Sequence, residues 1–320
     1  MNRVKRGVHD QNEQTVERIL EMSVIVVGST ALDSIKTPKS SNPRLLGGSA
    51  SHACVAASFF SDTSLIGIVG KDFPARYLNL YRKHKINLDA LQIVPGKTFH
   101  WSGEYEINMN NRRTLATELG VFETFSPELP KSLRKVPYVL LANIAPALQS
   151  HVLDQMHKPK FVIADTMDLW LNIAMDDLLK LLRRVDAFVL NDSEARQLTN
   201  DDNLPTAIRK IHRLGPKYVI IKKGEHGSLL SSPKGLFLAP AYPLQKVVDP
   251  TGAGDSFVGG LIGYLANRPG SVDSNLRRAI VHGSAVASFC CEGFGLNTTT
   301  KTTRQAIVKR VKELEKLVKF

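Results

Sequence analysis

Short, continuously apolar runs recur along the chain: Val24 to Val27, Leu65 to Val69, Tyr138 to Ala142, Phe161 to Ala164, Ala187 to Leu190 and Tyr218 to Ile221. None alternates apolar with polar positions, so each predicts a parallel strand covered on both faces. Between most of them the pattern becomes that of a helix with one apolar stripe, as in Leu178, Leu179 and Leu182, or Ile208, Ile211 and Leu214. This alternation predicts an α/β fold, a doubly wound and mainly parallel sheet flanked by helices.

One stretch departs from that rhythm. Thr98 to Ile107 partly alternates and is rich in β formers, Asn110-Asn111 offers a turn, and Thr114 to Thr117 follows. The segment predicts a hairpin with one polar face, a small β flap outside the main sheet. A closing helix is predicted from a capping box at Thr302 and Gln305, with Ile307, Val311, Leu314 and Val318 as its apolar stripe.

Composition narrows the class without naming it. With 320 residues, 43% hydrophobic and 22% charged, the chain can bury a substantial core in one large domain or two small ones. Neither a disordered nor a fibrous protein fits. A total of 42 Lys and Arg against 30 Asp and Glu leaves a net charge of +12, which suits nucleic acid, acidic membranes or phosphorylated small molecules. No segment interleaves bases with aromatics, so nucleic acid is not expected as a partner. No apolar run reaches the ~18 residues that suggest a membrane span. Residues 1–22 read as a mobile N-terminal tail, lacking the apolar centre of a secretory signal and too acidic for a transit peptide. Cys54, Cys290 and Cys291 cannot build a disulfide framework and sit at no metal-ligand spacing. They predict reduced core thiols in a cytoplasmic protein.

Chemistry concentrates where strands end. Asn143, Asp165, Asn191 and Lys222-Lys223-Gly224 close successive strands, on the side where open α/β sheets bind ligands. The sharpest motif is Asp249-Pro250-Thr251-Gly252-Ala253-Gly254-Asp255-Ser256-Phe257, followed by Val258, Leu261, Ile262 and Leu265 on one helical face. A Gly-Ala-Gly turn thus opens onto a helix N-terminus, whose unpaired amides and dipole favour an anion. The third glycine of a dinucleotide fingerprint and the Gly-Lys-Ser/Thr of a Walker loop are both missing. A carboxylate, Asp255, stands at this anion hole instead. It either caps the helix or accepts the proton of a hydroxyl attacking a phosphoryl group, and spacing alone leaves both readings open.

This loop resembles the second signature of the ribokinase-like (PfkB) carbohydrate and nucleoside kinases. Gly47-Gly48-Ser49-Ala50 resembles the first signature, Asn191-Asp192-Ser193-Glu194 the Asn-x-x-Glu motif, and Lys223-Gly224-Glu225-His226-Gly227 the nucleotide loop. Runs such as Thr98-Phe99-x-Trp101-x-Gly103-x-Tyr105 and Asp165-Thr166-Met167-x-x-Trp170 resemble a sugar-kinase subgroup of that family. The resemblance implies a kinase domain over 23–320 with lid segments near 33–46 and 97–123. It implies transfer of the γ-phosphoryl group of ATP, with Mg²⁺, to a hydroxyl of a sugar or sugar-like acceptor, a hydroxymethyl group in the leading reading. Asp255 would be the catalytic base, and Gly252, Ala253 and Gly254 the anion hole. Asn191, Lys222, Lys223, Gly224 and Gly227 would bind nucleotide, with Asn191 and Glu194 organising Mg²⁺ through water. Asp33, Gly47, Gly48, His52 and Asn143 would line the acceptor site, and Asp249 and Thr251 a candidate K⁺ site. The hairpin would be a lid whose exposed edges can pair in a homodimer.

His52 is a departure, since many sugar-specific members carry Asn at that position. A nucleoside acceptor is the alternative, with Phe99, Trp101 and Tyr105 stacking on a base. A phosphosugar held by Arg112-Arg113 is a third reading, and a non-catalytic protein binding nucleic acid through its basic surface is the last.

Overall fold

The computed structural model describes residues 22–107, 109 and 112–319. The tail expected before Met22 and the Asn110-Asn111 turn lie outside the described residues. Strand β1 (Ser23–Val27) leads into two strands of a small sheet, β2 (Ala31–Thr37) and β3 (Ser40–Gly47). Helix α1 (Ser49–Ser58), β4 (Asp62–Gly70), α2 (Ala75–Lys83) and β5 (Asn87–Val94) return to the main sheet. β6 (His100–Tyr105) and β7 (Arg112–Glu118) rejoin the small sheet. The second half runs β8 (Tyr138–Leu141), α3 (Pro146–Gln155), β9 (Phe161–Asp165), α4 (Asp168–Ile173), α5 (Met175–Leu182), β10 (Ala187–Asn191), α6 (Asp192–Thr199), α7 (Leu204–Arg213) and β11 (Tyr218–Lys222). A hairpin of β12 (Ser228–Ser232) and β13 (Gly235–Ala239) follows, then helices α8 (Ala253–Ala266), α9 (Val272–Cys291) and α10 (Arg304–Leu317).

The main sheet has the order β13-β12-β11-β10-β9-β8-β1-β4-β5. From β5 to β11 neighbouring strands are parallel; β12 pairs antiparallel to β11, and β13 antiparallel to β12, so only β12 runs against the rest. All six apolar runs are parallel strands, as the sequence predicts. Along each, alternate residues enter two cores. Val24, Val26 and Leu140 face α1, α8 and α9, whereas Ile25, Val27 and Leu141 face α3, α5 and α7. The unpredicted β5 and β13 lie at the two edges, where partial exposure removes the need for a continuous apolar run. Strand β1 lies between β4 and β8, so the chain winds away in both directions from this point and leaves a crevice at the carboxyl ends.

The small sheet has the order β3-β2-β6-β7, with β6 and β7 forming the expected antiparallel hairpin. Parallel pairing of β2 with β6 sets Asp33 beside Trp101 and Ile35 beside Gly103, so these side chains share one face.

The closing helix begins one residue later than its capping signal suggests. Thr303 caps it, its Oγ1 accepting from Ala306 N at 3.2 Å, while Thr302 Oγ1 donates back to Thr298 O at 3.1 Å. Ile307, Val311 and Leu314 are buried, but Val318 lies beyond the helix end and is 49% exposed. On α5, Leu181 takes the buried place expected for Leu179.

Helix α1 is buried from Ser49 through Ala57 because α8 lies directly on it. A Cβ on Gly259 would stand 2.6 Å from the Ala53 Cα, and one on Gly263 would stand 2.7 Å from the Ala57 Cα. Gly259→Ala is therefore expected to destabilise the fold by about 1–3 kcal/mol, as overpacking does. Urea unfolding would show this as a lower midpoint at unchanged slope; an unmoved midpoint would mean that the two helices do not pack this tightly.

Candidate active site

The tight seating of α8 fixes the position of its N-terminus. Gly252 is the cap residue with φ 76°, and the His52 ring occupies the place its Cβ would take. Ala253 N closes a turn onto Pro250 O at 3.1 Å, and Ser256 N starts the helical ladder on Gly252 O at 2.8 Å. The amides of Gly254 and Asp255 between them are first-turn donors. Asp255 is the third helical residue, and burial raises its carboxyl above the usual range against the pull of Lys222 and Arg112.

Of the two adjacent lysines, Lys222 enters the site. Its Nζ lies 2.9 and 3.1 Å from the two Asp165 carboxylate oxygens and 3.3 Å from where a Gly254 Cβ would stand. Lys223 contributes its backbone, donating from N to Gly227 O at 2.8 Å and closing the short 3-10 turn Gly224–His226. A cleft of ≈ 1060 Å³ opens here, lined by Lys222, residues 224–228, Ala253, Gly254 and Phe257. Residues 37–40, between β2 and β3, and Ile107 line it from the small sheet. Cys291 also lines it, so that thiol is not a core residue; Cys54 and Cys290 are buried, and all three are free.

The Asn-x-x-Glu motif is a reciprocal capping box at the start of α6. Asn191 Oδ1 accepts from Glu194 N, and Glu194 Oε2 accepts from Asn191 N, each at 2.7 Å. Burial pushes the Glu194 carboxyl up to about 7, with Lys222 opposing. Among the described residues, no group of three or more His, Cys, Asp or Glu is arranged to hold a metal ion.

Among the residues expected to line an acceptor site, the Asp33 carboxylate occupies the space a Gly47 Cβ would fill and accepts from the Gly48 amide. Asn143 Oδ1 accepts from Trp170 Nε1 at 2.7 Å, and its Nδ2 lies 3.0 Å from Met167 Sδ, so this amide is held by its own neighbours. His52 is 1% exposed, its Nδ1 lying 3.7 Å from Cys290 Sγ. It sits beneath the Gly252 turn instead of lining the crevice, because α1 runs under α8. Asp249 is buried, with Oδ1 accepting from Thr251 N at 2.9 Å and Oδ2 from Gly295 N at 3.0 Å.

The small sheet reaches this loop through Tyr105, whose buried hydroxyl accepts from Thr251 Oγ1 at 3.0 Å. Arg112 lies over the Trp101 ring, 5.4 Å from its centroid. The other proposed contacts of this region are otherwise engaged: Phe99 stacks on Phe122, and Arg113 pairs with Glu104 at 2.8 Å on the surface. The sequence places Asp165 at a strand end on the ligand side without marking Lys222 as its partner, and nothing in it marks the contact of Tyr105 with Thr251.

Residues 23–303 match the pfkB family of carbohydrate kinases, and the chain belongs to that family. It is an ATP-dependent phosphotransferase with the ribokinase-like fold. It is 29% identical over 257 residues to the cytidine kinase of Thermococcus kodakarensis, covering 78% of this chain and 90% of that one. The fold is similar to that of a nucleoside kinase from Methanocaldococcus jannaschii (TM-score 0.74, 21% identity, 91% of this chain and 98% of the other). It is also similar to the ribokinase of Arabidopsis thaliana complexed with ribose and ATP (TM-score 0.73, 22% identity, 91% and 98%).

Burial pushes the Asp33 carboxyl from 3.8 up to about 7, despite the Gly48 amide. The unfolded chain releases this proton near 3.8, so stability falls as pH rises from about 4 to 7 while the folded carboxyl must be charged. Burial holds His52 down at about 4, and it acts oppositely, losing stability as pH falls below 6.5. Asp33→Asn should therefore raise the ligand-free protein's stability at pH 8 more than at pH 4.5, by a difference on the order of 3 kcal/mol. Urea titrations at the two pH values check this, and equal effects would remove the buried charge from the account.

Proposed function

We propose that this kinase transfers the γ-phosphoryl group of ATP to a hydroxymethyl group of a sugar or nucleoside, with Asp255 as the base. The observation that carries this reading is the junction of three features: the first turn of α8, the Lys222 ammonium and the mouth of the ≈ 1060 Å³ cleft. ATP in that cleft runs from the Gly224–Gly227 turn past Lys222 to Gly254. Negative charge on the transferred group then meets the anion hole of residues 252–254 and the positive end of a helix. The acceptor enters from the side of Asp33, Gly47, Gly48 and Asn143, and Asp33 orients a hydroxyl by accepting from it. Asp255, made more basic by burial, takes the proton of the attacking hydroxyl.

Mg²⁺ fits as a companion of the phosphates, because no all-protein cage exists among the described residues and Mg²⁺ keeps much of its water. Glu194, a buried carboxylate with one oxygen on the Asn191 amide, would meet it through water beside Asn191; bound Mg²⁺ supplies charge neutralisation. Asp249, buried with one amide on each oxygen, supports the K⁺ reading beside Thr251. In the same reading β2, β3, β6 and β7 form the lid that keeps water from the reacting groups. Free thiols support a cytoplasmic location.

A nucleoside acceptor is favoured by one feature. The Trp101 ring lies along Gly103 on the face that carries Asp33, and a base would stack on it in the place now taken by the Arg112 guanidinium. The likeness to a cytidine kinase agrees.

An ADP-release screen with sugars, nucleosides, inositols and sugar phosphates is expected to single out one class. Asp255→Asn should then lower kcat by about 10²–10⁴ without lowering the melting temperature. Turnover near wild type would refute the base assignment. The lid is also the proposed dimer contact, since β7 is an edge strand with Leu115 48% exposed. Sedimentation velocity should show a dimer that Leu115→Asp converts to monomer; a monomeric wild type would overturn this contact.

A further inference from the structure

Lys222 and Asp255 carry opposite charges at the same anion hole. The lysine Nζ stands beside Gly254, the residue before the proposed base, and its attraction is the largest influence opposing the effect of burial on Asp255. A direct ion pair between the two would occupy the base and turn the ammonium away from the phosphates. The structure shows a different pairing. Both hydrogen bonds of Lys222 Nζ go to Asp165, at 2.9 and 3.1 Å, and Asp165 is the carboxylate in ion-pair contact with it among the described residues.

Asp165 is built to stay in place. It ends β9, is 4% exposed, and accepts from Thr166 N on Oδ1 at 3.0 Å. Its backbone carbonyl accepts from Gln149 Nε2 at 3.0 Å, and the same amide nitrogen binds Leu141 O and Ala142 O at 3.0 Å. Gln149 is itself 1% exposed, so it ties the ends of β8 and β9 together beneath the ion pair. Glu194 also attracts Lys222, more strongly than Asp255 does, while its Oε2 accepts from the Asn191 amide; a lysine that turned to Glu194 would give a loss that Asp255→Asn does not restore.

We infer that Asp165 is a positioning residue: it holds Lys222 away from Asp255, keeping the ammonium toward the phosphates and the base unpaired. This rests on the assignment of Asp255 as base, but its test reads the lysine and not the chemistry.

The experiment measures binding of the Mg²⁺ complex of a non-hydrolysable ATP analogue (AMP-PNP) to the full chain by calorimetry, so no acceptor is needed. In Asp165→Asn, Lys222 should turn to Asp255, and affinity should fall about tenfold. Adding Asp255→Asn removes the competing carboxylate and should restore affinity to within about threefold of wild type. On a Lys222→Met background, Asp165→Asn should have no further effect. A crystal structure of Asp165→Asn should show Lys222 Nζ paired with Asp255. Loss of a negative charge with Lys222 left in place would tighten binding instead, and that result overturns the inference. So does a loss that Asp255→Asn fails to restore, which would mark Asp165 as structural or as a partner of Mg²⁺, or Lys222 as turned to Glu194. If Asp165→Asn does not fold, Asp165→Glu carries the test. Its extra methylene pushes the ammonium toward Asp255, and the same weakening and the same recovery with Asp255→Asn are expected. A catalytic failure of Asp255 would appear only in turnover, so the two ideas fail separately.

Discussion

Helix α8 can rest on α1 because Gly259 and Gly263 face Ala53 and Ala57 with no side chain between the two backbones. That contact sets the height at which the first turn of α8 meets the strand ends. The turn is then held from three directions. His52 of α1 supports Gly252 from below, Cys290 of α9 donates from Sγ to Thr251 O at 3.3 Å, and Tyr105 of the small sheet meets the Thr251 hydroxyl. The proposed anion hole of backbone amides is useful only if it does not relax when charge develops, and these contacts hold the turn in place.

The same crevice gathers Asp33, Asp165, Glu194, Asp249 and Asp255, yet the cations facing it are Lys222 and Arg112. The carboxylates are satisfied in different ways. Asp249 takes two backbone amides, Glu194 closes a helix cap, and Asp165 takes the lysine. Asp33 and Asp255 are left without a cation in contact among the described residues, and both are raised by burial. In the proposed mechanism these are the two groups that meet a neutral hydroxyl. The basic surplus of the chain lies elsewhere and has structural uses: Arg310 of α10 pairs with Glu292 at 3.2 Å and lies 3.6 Å over the Phe289 ring.

The parallel strands were legible because burial on both faces demands uninterrupted apolar runs. The Gly-Ala-Gly-Asp loop was legible because few other sequences place a carboxylate on a glycine-rich helix start. Less could be read of contacts that join distant segments. Asp165 and Lys222 are 57 residues apart, and Tyr105 and Thr251 are 146 apart; no local pattern records either pairing. The Asn191–Glu194 pair shows a different limit. The motif pointed to phosphate and Mg²⁺, but the same two side chains also satisfy the rule for a helix cap, and spacing cannot separate the roles. His52 was readable as a departure, yet its place under Gly252 depends on how α1 and α8 cross.

Strand β2 spans only seven residues, with Asp33 toward one end and Thr37 at the other. Asp33 lies against Gly47 and Gly48, whereas Thr37 and the turn after it line the ≈ 1060 Å³ cleft. In the proposed mechanism one strand thus borders both the acceptor and the nucleotide. A displacement of β2 would then alter both openings together and so tie the release of the phosphorylated product to that of ADP.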